Sequence, residues 1–160
     1  MSALAYFIPW TTYGSWLHGN ERGSADPDHN QHDTPYLAHN KPRIEYERSE
    51  LDHEAVVLDG SMRPIVAQAI ANHCKHRLWT LHEIHVRTSH VHVVVSAPCE
   101  PEKPLREFKA WATRRLRQAE LIDDDTRLWT RHGSTKHLFT EDALFRAVRY
   151  VREEQGEPLD

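Results

Sequence analysis

Two histidines one residue apart, His90 and His92, have the types and spacing that suit metal chemistry. Side chains of a strand alternate between its faces, so both imidazoles would point the same way, with about 6–7 Å between their Cα atoms. Imidazole nitrogens are common ligands of divalent metal ions. Because histidine makes up 13 of 160 residues, about one such pair is expected by chance, and the pair alone proves nothing.

The segment HVHVVVSA, which the pair opens, is typical of a strand with one apolar face. Alternation divides its residues between the faces: His90, His92, Val94 and Ser96 on one, and Val91, Val93, Val95 and Ala97 on the other. An apolar back face must be buried, so we expect the strand to belong to the core. The histidines would then be held on a rigid element and form a candidate metal site.

A third residue with chemical potential is Tyr150, in the C-terminal segment EDALFRAVRYVREEQ. Helical spacing predicts an apolar stripe in this segment, formed by Leu144, Ala147, Val148 and Val151. Tyr150 would lie on the shoulder of that stripe, with Glu154 one turn further along nearly the same line and Gln155 about 140° away. From spacing alone, Tyr150 is more simply explained as an amphipathic edge residue with a buried ring and an exposed hydroxyl.

Length and composition predict one soluble domain over residues 1–160. With 39% hydrophobic residues the chain can bury one core, and it contains no apolar run of membrane-spanning length. Cys74 and Cys99 are isolated, which fits a reducing compartment, so we expect a cytoplasmic protein with no membrane partner. Because the formal net charge is −4, any nucleic-acid surface must be local.

Strand and helix signals follow one another in a regular order. Residues 3–17 favour a strand, in which Pro9 requires a bulge or an unpaired donor position. Residues 18–58 are polar and predict a long loop insertion. The remaining predicted elements are a helix over 62–77, strands over 78–87 and from residue 90, a basic helix over 103–121, a strand or hairpin around Gly133 and Ser134, and a last helix after Thr140.

This order of elements predicts an α+β fold. Strand, helix, strand, strand, helix and strand form a βαββαβ core, which is a ferredoxin-like two-layer sandwich. An extra C-terminal helix follows the core and carries Tyr150. Whether the tyrosine meets the two imidazoles therefore depends on how this helix packs.

Several stretches together carry a family resemblance: the HVH strand, the basic helix FKAWATRRL, the C-terminal AVRYVREEQGEP, and the segments WTTYGSWLHGNERG and LWTRHGS. In combination they resemble the single-tyrosine HUH transposases. Within that group they are similar to the small bacterial insertion-sequence enzymes and the REP-associated tyrosine transposases. The resemblance covers nearly the whole chain.

The resemblance implies a role for each candidate residue. His90 and His92 would bind Mg²⁺ or Mn²⁺, Tyr150 would be the nucleophile, and a third ligand would follow the tyrosine on the same helix. Such enzymes usually place a carboxamide one turn beyond the tyrosine, where this chain has Glu154, followed by Gln155. Glu154 has the position and Gln155 the chemical type, so both are candidates.

The implied reaction is cleavage and rejoining of single-stranded DNA at hairpin ends, through a 5′-phosphotyrosine intermediate. A tyrosine hydroxyl, with a pKa of about 10, is a poor nucleophile unless a metal ion or a base favours the phenolate. The resemblance also implies a homodimer, in which the tyrosine helix often acts in trans.

Candidate DNA contacts come from two parts of the chain. Lys109, Arg114 and Arg115 of the basic helix would contact phosphates, although the same residues would also suit a solvated face. Trp10 and Tyr13, together with Trp16, would stack on unpaired bases or belong to the core.

Three other functions compete with strand transfer. A domesticated relative would bind DNA or RNA hairpins without catalysis. A histidine-triad nucleotide hydrolase would need a third histidine where this chain has Val94. A zinc hydrolase would need His82, His85, His90 and His92 to converge from two strands, and no HExxH helix is present.

Overall fold

The computed structural model describes residues 2–15 and 55–153 of the chain. In these two ranges the elements are β1 (Ala5–Thr12), α1 (Arg63–Arg77), β2 (Thr80–Val86), β3 (His90–Ser96), α2 (Glu102–Gln118), β4 (Trp129–Gly133), β5 (Lys136–Leu138) and α3 (Glu141–Glu153). Of the predicted loop over 18–58, only residues 55–58 are described, and the candidate ligands Glu154 and Gln155 also lie outside the described residues.

The strands form one antiparallel sheet in the order β2-β3-β1-β4, and β5 also pairs with β1. Helices α1 and α2 pack on one face of the sheet, and α3 packs on the other. The order and pairing confirm the ferredoxin-like prediction, with α3 as the added C-terminal helix. Among residues 2–15 and 55–153, no helix combines the length and the apolar character needed to cross a bilayer.

The strand β3 lies between β1 and β2 and contributes to both faces of the sheet. Val91, Val93 and Val95 are fully buried in the main core, against α1 and α2. Val94, on the opposite face, is fully buried in a smaller cluster beneath α3. The predicted alternation is therefore confirmed, and both faces of this strand are covered where its valines lie.

Pro9 explains why the last strand of the sheet is broken in two. The Pro9 carbonyl accepts a hydrogen bond from the Ser134 N–H at 2.9 Å, on the β4 and β5 side of β1. Because the N–H and C=O of a strand residue point to the same side, the donor that proline lacks would face this edge. β5 pairs with the half of β1 before Pro9 and β4 with the half after it, and the register shifts only further along, between Trp10 and Thr12. The segment around Gly133 is thus one interrupted strand, and the alternative prediction of a hairpin is wrong.

The helices α1 and α2 are joined by three ionisable side chains. His73 is 6% exposed, and its Nε2 lies 2.6 Å from Glu107 Oε1. Arg77 donates two hydrogen bonds of 3.0 Å to the same carboxylate. Burial raises the pKa of the Glu107 carboxyl, but the hydrogen bonds from His73 and Arg77 outweigh it and lower this pKa overall.

We expect Glu107→Gln to lower the free energy of unfolding by about 1–3 kcal/mol at neutral pH, because it removes the carboxylate that a buried histidine and an arginine bind. Since the folded-state pKa of Glu107 is lowered, this stabilisation is present above the unfolded pKa of about 4.3 and is lost as the pH falls through the folded pKa. Urea unfolding across this pH range measures the difference. The exposed Glu100→Gln is the control, with an expected change below about 0.5 kcal/mol. A difference that did not shrink in acid would contradict the ion pair.

Candidate active site

His90 and His92 lie side by side on the face of β3 that points away from α1 and α2. Their ring centroids are 4.9 Å apart, and the ring planes are inclined by 39°. Both residues are half-buried, whereas Val91 between them is fully buried on the opposite face. The strand therefore presents the two imidazoles together, as its sequence predicts.

Tyr150 of α3 faces this histidine pair within the same chain. Its ring centroid lies 6.0 Å from that of His92 and 6.0 Å from that of Phe7. Phe7 in turn meets the His92 ring edge-on at 5.5 Å. Because Tyr150 is 42% exposed, its ring packs against the site while remaining open to solvent. The structure thus brings together three of the predicted site residues.

The apolar stripe of α3 places the tyrosine there. Val151 is fully buried in a cluster with Val94 of β3 and Leu138 of β5. The rest of the predicted stripe packs around this cluster: Leu144, Ala147 and Val148. The Thr140 hydroxyl accepts a hydrogen bond from the Ala143 N–H at 3.0 Å and caps the start of the helix. Since consecutive helical residues are about 100° apart, burial of Val151 leaves its neighbour Tyr150 on the edge of the stripe, as predicted.

His85 of β2 links the histidine pair to the tyrosine helix. It is the cross-strand neighbour of His92, and it donates a hydrogen bond to the backbone of Val151. Its Nδ1 is buried without a hydrogen-bond partner in the described part of the chain. Burial lowers the pKa of His85, and the ring is therefore neutral near pH 7. Sequence reasoning missed this role, because it depends on the register between β2 and β3.

A second contact from β2 holds the same end of α3. Glu83 accepts a hydrogen bond from Arg152 Nε at 2.8 Å. Arg152 follows Val151 directly, so the two contacts from β2 act on neighbouring residues of the last turn of α3. Together they fix how the residues around Tyr150 meet the sheet.

The alternative zinc site of four histidines is wrong, because these side chains do not converge. His82 Nε2 lies 2.7 Å from Ser96 Oγ, while His85 is bonded to the backbone of α3. Within the described ranges, no three His, Cys, Asp or Glu side chains are grouped so that they could hold a metal ion. The choice between Glu154 and Gln155 as a third ligand stays a prediction, since both lie outside these ranges.

The two aromatic residues predicted to stack on DNA bases belong to the core instead. Trp10 is 2% exposed and packs against Phe108 at 6.2 Å and Trp129 at 5.9 Å between ring centroids. Tyr13 is 5% exposed, and the Arg127 guanidinium covers its ring at 4.7 Å. Of the two alternatives, stacking on bases or membership of the core, burial supports the core, because β1 is a central strand covered by the helices and Tyr13 directly follows it.

Lys109 also differs from the prediction of a phosphate contact. Its Nζ donates hydrogen bonds to the carbonyls of Thr130, Arg131 and His132, at 3.0, 3.4 and 3.3 Å. Burial lowers the pKa of this ammonium group. Lys109 therefore links α2 to β4, and its ammonium group already donates its hydrogen bonds to carbonyls of the protein.

The other two predicted phosphate contacts are exposed on α2. The Arg114 guanidinium lies 4.4 Å from the centre of the Trp111 ring. Arg115 lines the opposite side of the helix, toward Asn72 of α1. The two side chains thus lie on different surfaces, and a single nucleic-acid strand would not bind both in the same groove.

Comparison with known proteins identifies the family. Residues 51–150 match the sequence model of the IS200-like transposases, and the matched segment contains His90 and His92 and ends at Tyr150. The chain therefore belongs to the IS200-like transposase family, as the resemblance in its sequence indicates. No curated protein sequence matches the chain.

Two solved structures are similar to the chain. A protein from Deinococcus radiodurans R1, assigned as a transposase, matches with a TM-score of 0.54 and 13% identity, over 98% of this chain and 95% of that protein. A REP-associated tyrosine transposase bound to a REP hairpin matches with a TM-score of 0.49 and 12% identity, over 94% of this chain. The chain spans 66% of the length of this second protein. At such low identity, the first likeness supports the shared fold.

We expect Glu83→Gln to loosen the last turn of α3, because it removes the charge that Arg152 binds. Partly exposed ion pairs contribute about 0.5–1 kcal/mol, so amide exchange over residues 148–153 should become about 2- to 5-fold faster. Hydrogen exchange followed by mass spectrometry measures this. Arg146→Gln is the control, because it removes a surface pair with Asp142 on the same helix and leaves the β2 contact in place. Unchanged exchange over 148–153 in Glu83→Gln would show that this contact does not hold the helix.

Proposed function

We propose that this protein is a metal-dependent enzyme that cuts and rejoins single-stranded DNA at hairpin ends, through a covalent bond between Tyr150 and a 5′-phosphate. One observation carries the proposal: the Tyr150 ring lies 6.0 Å from that of His92 in the same chain, and the His90 ring lies 4.9 Å from that of His92. Membership of the IS200-like transposase family supports it. The reaction class is then DNA strand transfer.

The donors at the site fit a divalent cation. His90 and His92 offer two imidazoles from one strand, with ring centroids 4.9 Å apart, which suits the binding of a single ion. Glu154 or Gln155 would add an oxygen ligand, as Mg²⁺ or Mn²⁺ prefers. These residues would hold the ion where it would polarise the scissile phosphate and offset the negative charge that develops on it.

The Tyr150 hydroxyl is the nucleophile. Once it has lost its proton, the phenolate oxygen attacks the phosphorus, and a bond between tyrosine and phosphate forms. The bond from phosphorus to the 3′-oxygen of the preceding nucleotide breaks in the same displacement. The leaving oxygen takes up a proton, so the products are a 5′-phosphotyrosine and a free 3′-OH. Exposure of Tyr150 gives a DNA strand access to this oxygen.

The same site can carry out the reverse step with a different DNA end. The phosphotyrosine bond replaces one phosphodiester by another, so little free energy is lost on cleavage. A second 3′-OH can therefore lose its proton and attack the phosphorus, which restores a DNA phosphodiester and breaks the bond to Tyr150. The released phenolate takes up a proton, and no ATP is needed. This reversibility is what strand transfer between DNA ends requires.

The proposed partners are a DNA hairpin with a single-stranded flank and a second copy of the chain. Arg114, exposed on α2, is a proposed phosphate contact, whereas Arg115 faces α1 and stays a prediction. Because Tyr150 lies beside His92 of its own chain, the described conformation supports a tyrosine that acts in cis. Homodimer formation would then serve to bring two DNA ends together.

We expect the purified protein, mixed with labelled oligonucleotides from the flanks of its own gene and Mg²⁺ or Mn²⁺, to give a covalent protein–DNA band on a denaturing gel. Tyr150→Phe should abolish the band because it removes the attacking oxygen, and EDTA should abolish it by removing the ion. His92→Ala should reduce its rate of formation by about 100-fold or more, since even the loss of outer-shell groups costs 10- to 100-fold in metal sites.

The experiment has two controls, one for the DNA substrate and one for the folding of the variants. Duplex DNA without a single-stranded flank should form no covalent band, and circular dichroism should show that Tyr150→Phe and His92→Ala remain folded. If hairpins bind with no covalent band at any flank or metal, the protein is a non-catalytic hairpin-binding relative. That result would overturn the proposed reaction.

We expect Glu154→Ala and Gln155→Ala to separate the two candidates for the third ligand. The variant that lacks the ligand should bind Mn²⁺ at least about tenfold more weakly in titration calorimetry, while the other should bind like the wild type. His90→Ala serves as the reference for the loss of a proposed ligand on β3. Wild-type affinity in both variants would remove both residues from the ligand set.

A further inference from the structure

A groove of about 780 Å³ lies between α2 and the outer strand β4. Its lining includes one acidic residue, Glu102, and five basic residues: Arg106, Lys109, Arg114, Arg117 and Arg131. The whole chain, in contrast, has a formal net charge of −4. A groove whose local charge is opposite to that of the molecule is suited to bind a polyanion.

The basic residues of the groove have two different roles. Arg106, Arg114, Arg117 and Arg131 are exposed, so their guanidinium groups can reach a ligand. Lys109 instead bonds three consecutive carbonyls of β4 and so ties the helix to the strand. This bonding sets the spacing between the arginines of α2 and Arg131 of β4. The groove is therefore a preformed surface.

The length of the groove matches a run of phosphates. At 1.5 Å per residue, Arg106 and Arg117 lie about 16 Å apart along α2. One strand of a DNA duplex carries a phosphate about every 3.4 Å along the axis, so this distance covers about five phosphates. Acidic residues lie at both ends of the groove. Glu102 lies at one end, and the segment Asp123–Asp125 lies at the other. There Arg117 donates a hydrogen bond to the Asp124 carbonyl at 3.2 Å.

A row of polar residues leads from the edge of the groove to the candidate active site. Thr11 of β1 is the cross-strand neighbour of His90, and its Oγ1 lies 3.0 Å from Oγ1 of Thr130 in β4. Side chains alternate along β4, so Thr130 lies on the Tyr150 face while Arg131 lies on the groove side. With about 4.8 Å between strands, Thr130 is about 10 Å from His90. A nucleic acid that crosses the β4 edge would connect the two surfaces.

We propose that this groove binds the phosphate backbone of a DNA hairpin stem, and that the single strand leaving the stem crosses the β4 edge toward Tyr150. The inference rests on the proposed function and adds to it the place where the stem is held. Guanidinium groups bind phosphate oxygens through paired hydrogen bonds. Contacts of this kind fix position on the duplex without reading its sequence.

The lining favours a stem over a single strand. Proteins that bind single strands offer aromatic rings on which bases stack. Of the described lining residues only Trp129 is aromatic; it is 8% exposed, and its Nε1 donates to the Lys109 carbonyl at 3.1 Å. The groove therefore has positive charges that can bind phosphates, but its described lining has no exposed aromatic ring on which a base could stack.

The test measures the salt dependence of hairpin binding by fluorescence anisotropy, with the full chain in EDTA so that no cleavage occurs. Each phosphate contact contributes about 0.9 to the slope of log K against log salt concentration. We expect Arg114→Gln, Arg117→Gln and Arg131→Gln each to reduce the slope by about 0.9. The loss should be the same for stems of different sequence, since the contacts are to phosphates.

Two variants with the same change of charge serve as controls. Lys75→Gln, exposed on α1, should leave the slope and the affinity unchanged. Arg115→Gln tests the opposite side of α2, and we expect it to have less effect than any groove variant. Wild-type slopes in all three groove variants, or a larger loss in Arg115→Gln, would overturn the inference. An effect seen only with stemless single strands would overturn it as well, since the groove would then hold a single strand.

The groove inference and the proposed reaction can fail independently, and a substrate without a stem distinguishes the two failures. A stemless oligonucleotide that carries the cleavage site, at saturating concentration, should form the covalent band equally fast with wild type and with the groove variants. If that band forms but hairpin binding does not depend on the groove arginines, only the groove inference fails. If hairpin binding depends on these arginines and no band forms on any DNA, the proposed reaction fails alone. Circular dichroism and urea midpoints confirm that the variants are folded.

Discussion

The alternation of side chains along β3 is the constraint on which the rest of the structure depends. Val91, Val93 and Val95 are fully buried in the main core, and burial of one valine contributes roughly 1.5–3 kcal/mol. A slip of one residue would expose these valines and bury the imidazoles of His90 and His92 in their place. The register that stabilises the fold is therefore the register that presents the histidine pair.

The position of Tyr150 depends on a smaller and separate set of contacts. The cluster beneath α3 contains four buried residues, Ala5, Val94, Leu138 and Val151, whereas the main core is formed by α1, α2 and most of the sheet. Elements that bury little area unfold locally at a lower free-energy cost than the core does. The contacts of Glu83 and His85 with the end of α3 compensate for this small interface. The fold thus holds the histidines through its main core and the tyrosine through a few local contacts.

The sequence predicts features that depend on local periodicity and misses those that depend on nonlocal packing. Alternation in β3 and the stripe of α3 gave the faces of His92 and Tyr150, because a strand and a helix each have a fixed period. The residue types leave both stacking and the core open for Trp10 and Tyr13, since they do not reveal that β1 is central and covered. The role of Lys109 could not be predicted for the same reason, because its carbonyl partners lie on β4, 21 to 23 residues away in the chain.

The basic groove shows why net charge is a poor guide to nucleic-acid binding in this molecule. Exposed charges interact over a Debye length of about 8 Å at physiological salt, so a phosphate senses the groove and not the whole chain. The arginines of α2 and β4 come together because Lys109 and the buried Trp129 join the two elements, which makes the surface a product of folding. The strand β4 lies between this surface and the face of the sheet that carries Tyr150. The DNA stem would therefore bind on one side of β4, and cleavage would take place on the other. Substrate binding would then depend on residues of α2 and β4, and catalysis on residues of β3 and α3.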